Sequence, residues 1–393
     1  MARHGGGNGG PAARGLSRRG PLQSRFLPSV KILTVFGTRP EIIRLSLIIE
    51  LIDRHAQQVV VHTGQNYDPN LSDVFLRDLG VRKIDHHLGI KASSFGEQAG
   101  QILTKIDALL LSERPDRLLI LGDTNSGLAA IVAARRGIPV YHLEAGNRCY
   151  DNRVPEEINR RIIDHSSTIL MPYTERSAEN LVREGIARER IFVIGNPILE
   201  VLEKFEPLIR RSIVLRTLKL KRGSYFVATM HRAENVDDPG RLARHLAAFD
   251  ALAKEFKRPV VLSVHPRTAE KIARSGLTPD PARLRMEKPF GLFDFIHLEK
   301  NARGVITDSG TVQEEACIFN LPNVTIRDVT ERPETTECGS NFLASDSTEK
   351  LVAGMKLALE AGGVWTPPAE YTKRNVAATV GRIILSHHHP VTH

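Results

Sequence analysis

Cysteine is scarce in this chain: three residues in 393, at Cys149, Cys317 and Cys338. Thiols so scattered make neither a disulfide framework nor the paired spacing of a zinc site; they fit a reducing, cytoplasmic setting and give no reason to expect a metal. Aromatic residues are few, 5% of the chain with a single Trp, which leaves little for a base-stacking surface. No apolar run approaches the ~18 residues that a membrane helix needs. Acidic residues are missing from residues 1–28, which carry Arg3, Arg14, Arg18, Arg19 and Arg25. Those five charges aside, +4 of the net +9 remains for the rest of the chain, so the basic balance does not argue for a nucleic-acid partner. Rich in Gly, Arg and Pro and without the apolar core of a secretory signal, residues 1–28 read as a disordered basic tail, with an Arg-rich transit peptide as the alternative. The histidines of SHHHPVTH at the other end read as a solvated tail, because without a scaffold they fix no metal geometry.

What is present is an alternation of strands and helices. Short runs of branched residues at 30–36, 59–63, 117–122, 138–144 and 191–195 predict buried strands, with helices expected at 41–54, 125–136, 156–165 and 197–205. Residues 206–223 are basic and aperiodic. Beyond them the alternation restarts, with strands at 225–230, 259–265, 303–308 and 321–326 and helices at 239–256, 310–319, 347–361 and 371–386. The pattern predicts an α/β protein of two Rossmann-like domains with parallel sheets, 29–205 and 206–375, followed by a helix end and tail at 376–393. A cleft between two such domains places ligands at the carboxyl ends of the strands.

Polar words recur at those ends. The first strand is followed not by GxGxxG but by Gly37-Thr38-Arg39-Pro40-Glu41, which removes the most direct nicotinamide reading. Either a capped helix start or an anion site with Arg39 explains that turn. LGDTNSG ends a strand at Asp123, as an N-cap or as a functional acid, and HLEAGNR puts Glu144 at the next strand tip. In PEEINRRIIDH, Pro155 opens a helix on which Glu156 and Arg160 share one face. In the second half MHRAEN supplies His231, HPR (265–267) more cationic groups, Ser309-Gly310 a helix-opening turn suited to phosphate, and RDVTERPE Arg332. Carboxylates thus gather in the first half and anion binders in the second, a division suited to a nucleotide sugar spanning the cleft without a metal.

FGTRPE, GDT, EAGNR, PEEINRR, GN, HRAEN, TDSGTVQEEA and RDVTERPE, in this order from about Val30 to Ser386, resemble the non-hydrolysing UDP-N-acetylglucosamine 2-epimerases. The resemblance implies a GT-B-type fold, a UDP-sugar in the cleft, a homodimer, no cofactor, and C2 inversion by elimination of UDP to a 2-acetamidoglucal and re-addition. It places Asp123, Glu144, Glu156 and His231 among the catalytic groups. Arg39, Arg44, Arg160, Ser309, Gly310, Glu315 and Arg332 would hold the nucleotide, with Glu315 on ribose hydroxyls and Arg332 on the diphosphate. Departures stand at Arg44, where the family usually has Lys, at Thr311, where it has a second Gly, and in a segment between Glu144 and Glu156 about two residues short. HTGQNYD keeps Gln65 but not the basic residue beyond it in the loop that helps bind a second, activating UDP-sugar in bacterial relatives. These departures resemble a branch acting on UDP-2-acetamido-2,6-dideoxy-hexoses, an alternative substrate. A GT-B glycosyltransferase, a hydrolysing epimerase and a non-enzymatic sugar-nucleotide sensor are the competing functions.

Overall fold

The computed structural model describes residues 30–64, 76–264 and 266–386, apart from the side chains at 266 and 267. The readings made for residues 1–28, for Gln65 and its loop, for the side chains of HPR and for the histidine-rich end lie outside the described residues.

Two six-stranded, wholly parallel sheets form the frame. The first contains β1 (Lys31–Phe36), β2 (Gln57–His62), β3 (His86–His87), β4 (Arg117–Leu121), β5 (Val140–Leu143) and β6 (Ile169–Met171), in the order β3-β2-β1-β4-β5-β6. The second contains β7 (Phe226–Thr229), β8 (Val260–Ser263), β9 (Leu284–Glu287), β10 (Val305–Thr307), β11 (Asn323–Thr325) and β12 (Asn341–Leu343), ordered β12-β11-β10-β7-β8-β9. Counted within its own half, each sheet has the doubly wound order 3-2-1-4-5-6, whose reversal between the first and fourth strands opens a crevice at the carboxyl edge. Because helices cover both faces, strands such as RLLIL in β4 are buried along their whole length.

Three differences from the sequence reading have local causes. Residues 191–195 form no strand; Ile191 makes a single parallel bridge to Leu170, and the chain then turns away. β3, β6, β9 and β12, the edge strands of the two sheets, were not expected; they span two to four residues each, too short to show periodicity. The helix expected to stop near 205 runs from Ile198 to Arg210 despite Pro207, since Ile198, Val201, Leu202, Phe205 and Ile209 keep one apolar stripe against the first domain. The last helix, Val376–Ser386, returns from the second domain and packs on the helix Arg39–His55. Its Val376, Ala377, Val380 and Ile384 belong to the same buried cluster as Ile32, Phe36, Leu45, Ile48 and Ile52.

Candidate active site

Both switch points face one cleft of about 660 Å³, a volume typical of small-molecule sites. Ten of the eleven residues singled out from the sequence line it: Arg39, Arg44, Asp123, Glu144, Glu156, Arg160, His231, Ser309, Gly310 and Arg332. Glu315 is the exception. It is buried beside Glu299, behind the wall of the cleft, where burial pushes its carboxyl up to about 8.

At the first strand tip the turn is a helix cap and part of the cleft wall at once. The Glu41 Oε2 accepts from the Gly37 amide (2.9 Å), the Thr38 amide (2.7 Å) and the Thr38 hydroxyl (2.8 Å), while Oε1 accepts from the Thr124 hydroxyl at 2.8 Å. Burial, against these donors, raises this carboxyl to about 7. Through Thr124 the cap is tied to the tip of β4. There Gly122, at φ +75°, turns the chain so that Asp123 enters the cleft. Asp123 Oδ2 lies 2.7 Å from Arg160 Nη2.

Glu144 follows β5 at φ +65°, a left-handed conformation that costs a side-chain-bearing residue about 1 kcal/mol or more. Its carboxylate is shared by two arginines, one from each domain. Arg44 Nη1 is 3.2 Å from Oε2, and Arg332 Nη2 bonds Oε1. Glu314 closes the ring, with Arg44 Nη2 at 2.5 Å on one oxygen and Arg332 Nε on the other. All four groups are nearly dry. Burial opposes the charge on Glu314, but the two guanidinium groups outweigh it and hold this carboxyl below its usual range. Each arginine is thus matched to two carboxylates, one from its own domain and one from the other, which compensates the cost of burying them.

The PEE segment divides its glutamates. Glu157 is buried and accepts from the Cys149 amide (3.0 Å) and the Tyr150 amide (3.1 Å), fastening the preceding loop to the helix Pro155–Ser166. Glu156 is partly exposed to the cleft and meets Arg232 of the second domain at 3.4 Å. Arg160 turns to Asp123, to Glu157 at 2.9 Å and to Glu331 of the second domain at 3.3 Å. Glu331 is itself bonded by Arg327 at 2.6 and 2.9 Å, and although burial opposes its charge, Arg327 and Arg160 hold it well below the carboxylate range.

His231 is half-exposed on the opposite wall, with Nδ1 3.0 Å from Asp308 Oδ1. The other oxygen of Asp308 accepts the backbone amides of His231 and Arg232, both at 2.9 Å, and the Asn235 amide at 3.2 Å. Burial works against the charge of Asp308, yet His231 and these donors keep it ionised far below the ordinary carboxylate range. A fixed carboxylate on Nδ1 orients the ring and leaves Nε2 for the cleft, the arrangement of a proton-transfer histidine. Beside it, Ser309 caps the helix Gly310–Ile318, and a side chain at position 310 would approach the Arg332 guanidinium. A helix start beside an arginine is an arrangement chemically suited to an anion.

Sequence reasoning therefore missed several residues that hold the cleft's charged groups in place. Asp308, Glu314 and Glu331 put carboxylates in the half expected to concentrate anion binders. TDSG, QEE and TERPE contain them, but a single sequence does not say which acids face arginines. Among the described residues no group of three His, Cys, Asp or Glu is placed to hold a metal ion, and no helix is long and apolar enough to cross a membrane.

Two doubly wound domains closing on paired carboxylates and an anion site define a GT-B-like enzyme acting on a nucleotide sugar. The UDP-N-acetylglucosamine 2-epimerase family model matches residues 50–385, and the chain belongs to that family. It is 39% identical over 353 residues to UDP-N-acetylglucosamine 2-epimerase of Methanocaldococcus jannaschii, covering 86% of this chain and 95% of that one. It is 37% identical over 335 residues to UDP-2,3-diacetamido-2,3-dideoxy-D-glucuronate 2-epimerase of Pseudomonas aeruginosa, covering 84% and 92%. The crystal structure of the M. jannaschii enzyme in complex with UDP-GlcNAc and UDP superposes with a TM-score of 0.86 at 36% identity, covering 90% of this chain and 99% of that one. The Rickettsia bellii UDP-N-acetylglucosamine 2-epimerase gives 0.84 at 37% identity, covering 92% and 97%.

Proposed function

We propose that this chain is a non-hydrolysing epimerase that interconverts UDP-N-acetylglucosamine and UDP-N-acetylmannosamine. The hydrogen on C2 of a pyranose has no adjacent carbonyl to acidify it, so direct deprotonation and reprotonation is closed. Elimination across C1–C2 solves this: a base takes the C2 proton, the C1–O bond breaks and UDP leaves with its electron pair. UDP then adds back to C1 while a proton reaches C2 from the other face. The site must hold departed UDP in place and offer proton-transfer groups to both faces.

One observation carries the reading: a single cleft gathers Asp123, Glu144, Glu156 and the His231–Asp308 pair opposite the Ser309–Gly310 helix start and Arg332. In this assignment the three carboxylates and His231 move protons. Arg332, Arg39 and the helix start hold the diphosphate, and Arg160 sets the position of Asp123. A cytoplasmic homodimer is part of the same proposal, and sedimentation velocity tests the assembly.

Incubation with UDP-N-acetylglucosamine in deuterated water is the decisive experiment. The expected result is epimer formation with deuterium at C2 and no build-up of free UDP. A donor that stays inert until an acceptor is added, or steady release of free UDP, would overturn the proposal. If the 6-deoxy-talose analogue turns over and the parent sugar does not, the substrate assignment moves to that analogue.

A further inference from the structure

Cys317 and Cys338, distant in sequence, meet with their sulfurs 3.6 Å apart. Cys317 is fully buried at the end of the helix Gly310–Ile318, and Trp365 Nε1 donates to its carbonyl at 3.0 Å, which pins it. Cys338 caps the short helix Pro333–Glu337 and is half-buried, the more exposed residue of the pair. The Cys317 thiol, as a hydrogen-bond donor, lowers Cys338 from its ordinary value, and the same contact together with burial raises Cys317. Such a pair has an attacking thiolate and a protected resolving thiol. The third cysteine is a built-in control: burial pushes Cys149 up to about 11, and its thiol faces Glu157 at 3.3 Å.

We propose that Cys317 and Cys338 form a reversible disulfide on exposure to a hydroperoxide, and that this bond loosens the anion site through Arg332. The Cys338 thiolate attacks one peroxide oxygen; the O–O bond breaks, Cys338 becomes a sulfenic acid and the other oxygen leaves as hydroxide, or as alkoxide from an organic peroxide. Cys317 then attacks that sulfur. The S–S bond forms, the S–O bond breaks, and the departing hydroxide leaves as water with the Cys317 proton. Two thiols are oxidised and one peroxide is reduced.

The connection to Arg332 is structural. A disulfide requires about 2.05 Å between sulfurs, so these must close by roughly 1.5 Å, through rotation of the cysteine side chains together with a shift of the segments that carry them. Cys317 is anchored by its nine-residue helix and by Trp365, so the five-residue helix of Cys338 does most of the moving. That helix begins directly after Arg332. Thr335 holds the Arg332 carbonyl through its amide (3.0 Å) and its hydroxyl (2.7 Å), and the Thr335 carbonyl accepts from the Ser340 amide at 3.0 Å and from the Cys338 thiol at 3.4 Å. Displacing Cys338 therefore draws on the support of Arg332.

The cross-link does not depend on the proposed function; its effect on the anion site rests on that reading. The test treats the full chain with hydrogen peroxide, maps thiols by peptide mass spectrometry, and measures UDP binding by calorimetry before oxidation, after it and after dithiothreitol. The expected result is a 317–338 cross-linked peptide with Cys149 unmodified. UDP affinity should fall roughly tenfold, a modest loss for a displacement near 1 Å, and recover on reduction. Cys338→Ser should give no cross-link and unaltered UDP affinity under the same peroxide, and Cys317→Ala serves as the second variant should the first not fold. Over-oxidation of Cys338 without a cross-link, or earlier reaction of Cys149, overturns the disulfide. A cross-link with unchanged UDP affinity overturns the switch. If the reduced chain does not bind UDP at all, the functional reading fails while the cross-link result stands.

Discussion

Glu144 and Arg332 present a competition at the scale of single residues. Arg332 is the cation proposed above to hold the diphosphate, yet two carboxylates already occupy it. A bound diphosphate must draw the guanidinium from them, and removing one competitor should help it do so. Glu144→Gln is therefore expected to tighten UDP binding by about tenfold while abolishing epimerisation, since a neutral amide holds Arg332 less firmly and cannot take a proton. Calorimetry with UDP checks this; weaker binding in the variant would mean that Glu144 supports Arg332 rather than competing with it. Asp123→Asn should leave UDP affinity nearly unchanged and cut turnover by about 10³-fold or more, measured by proton NMR of the epimer ratio. Arg332→Ala should weaken UDP by at least about tenfold, and an unchanged dissociation constant would remove Arg332 from the anion site.

Protonation adds a further test at this scale. The Glu41 carboxyl is raised from 4.5 to about 7 by burial, so between those values the folded chain holds a proton that the unfolded chain has lost. The stabilisation from this group is complete below about pH 4.5 and disappears as pH rises through 7. Unfolding temperature should accordingly fall between pH 5 and pH 8 more steeply in the wild type than in Glu41→Gln. Equal slopes would show that Glu41 does not titrate in this range.

The same scale shows where sequence stops. Words at strand tips brought ten residues to one cleft because parallel sheets align those tips whatever lies between them. The adjacent glutamates Glu314 and Glu315 could not be sorted in that way: neighbours on a helix diverge by about 100°, and only the packing shows that Glu314 meets Arg44 and Arg332 while Glu315 faces Glu299.

Among elements, most long periodic helices were legible, although the nineteen-residue helix Phe95–Glu113 was not among those expected, and short edge strands were not. Pro239–Phe256 has a proline at its start, Asp238 accepting from the amides of Gly240 and Arg241, and a clear apolar stripe. β3 is two residues long and exists because β2 offers it a partner. Packing of the final helix on Arg39–His55 depends on Gly381, where a Cβ would collide with the Leu51 side chain. Gly381→Val should lower stability by about 1–3 kcal/mol through overpacking, read from urea unfolding. An unchanged midpoint would mean that the helices can separate without loss.

For the whole molecule, two doubly wound domains were foreseeable from alternation alone, whereas the path of the chain between them was not. Nothing in the apolar pattern of residues 376–386 says which sheet they serve. Their place in the first domain's core predicts that a chain truncated before Val376 unfolds at a markedly lower temperature, with the first domain losing cooperativity before the second. Calorimetry resolves the two transitions, and an unaltered first-domain transition would show that the helix is dispensable.

That return of the final helix also bears on synthesis. The lobe that starts with β1 is closed by residues translated only after the whole second lobe, so on the ribosome its apolar groove stays uncovered until that second lobe has emerged. Until then that apolar surface of the first lobe waits for its cover, long after its own sheet has been made.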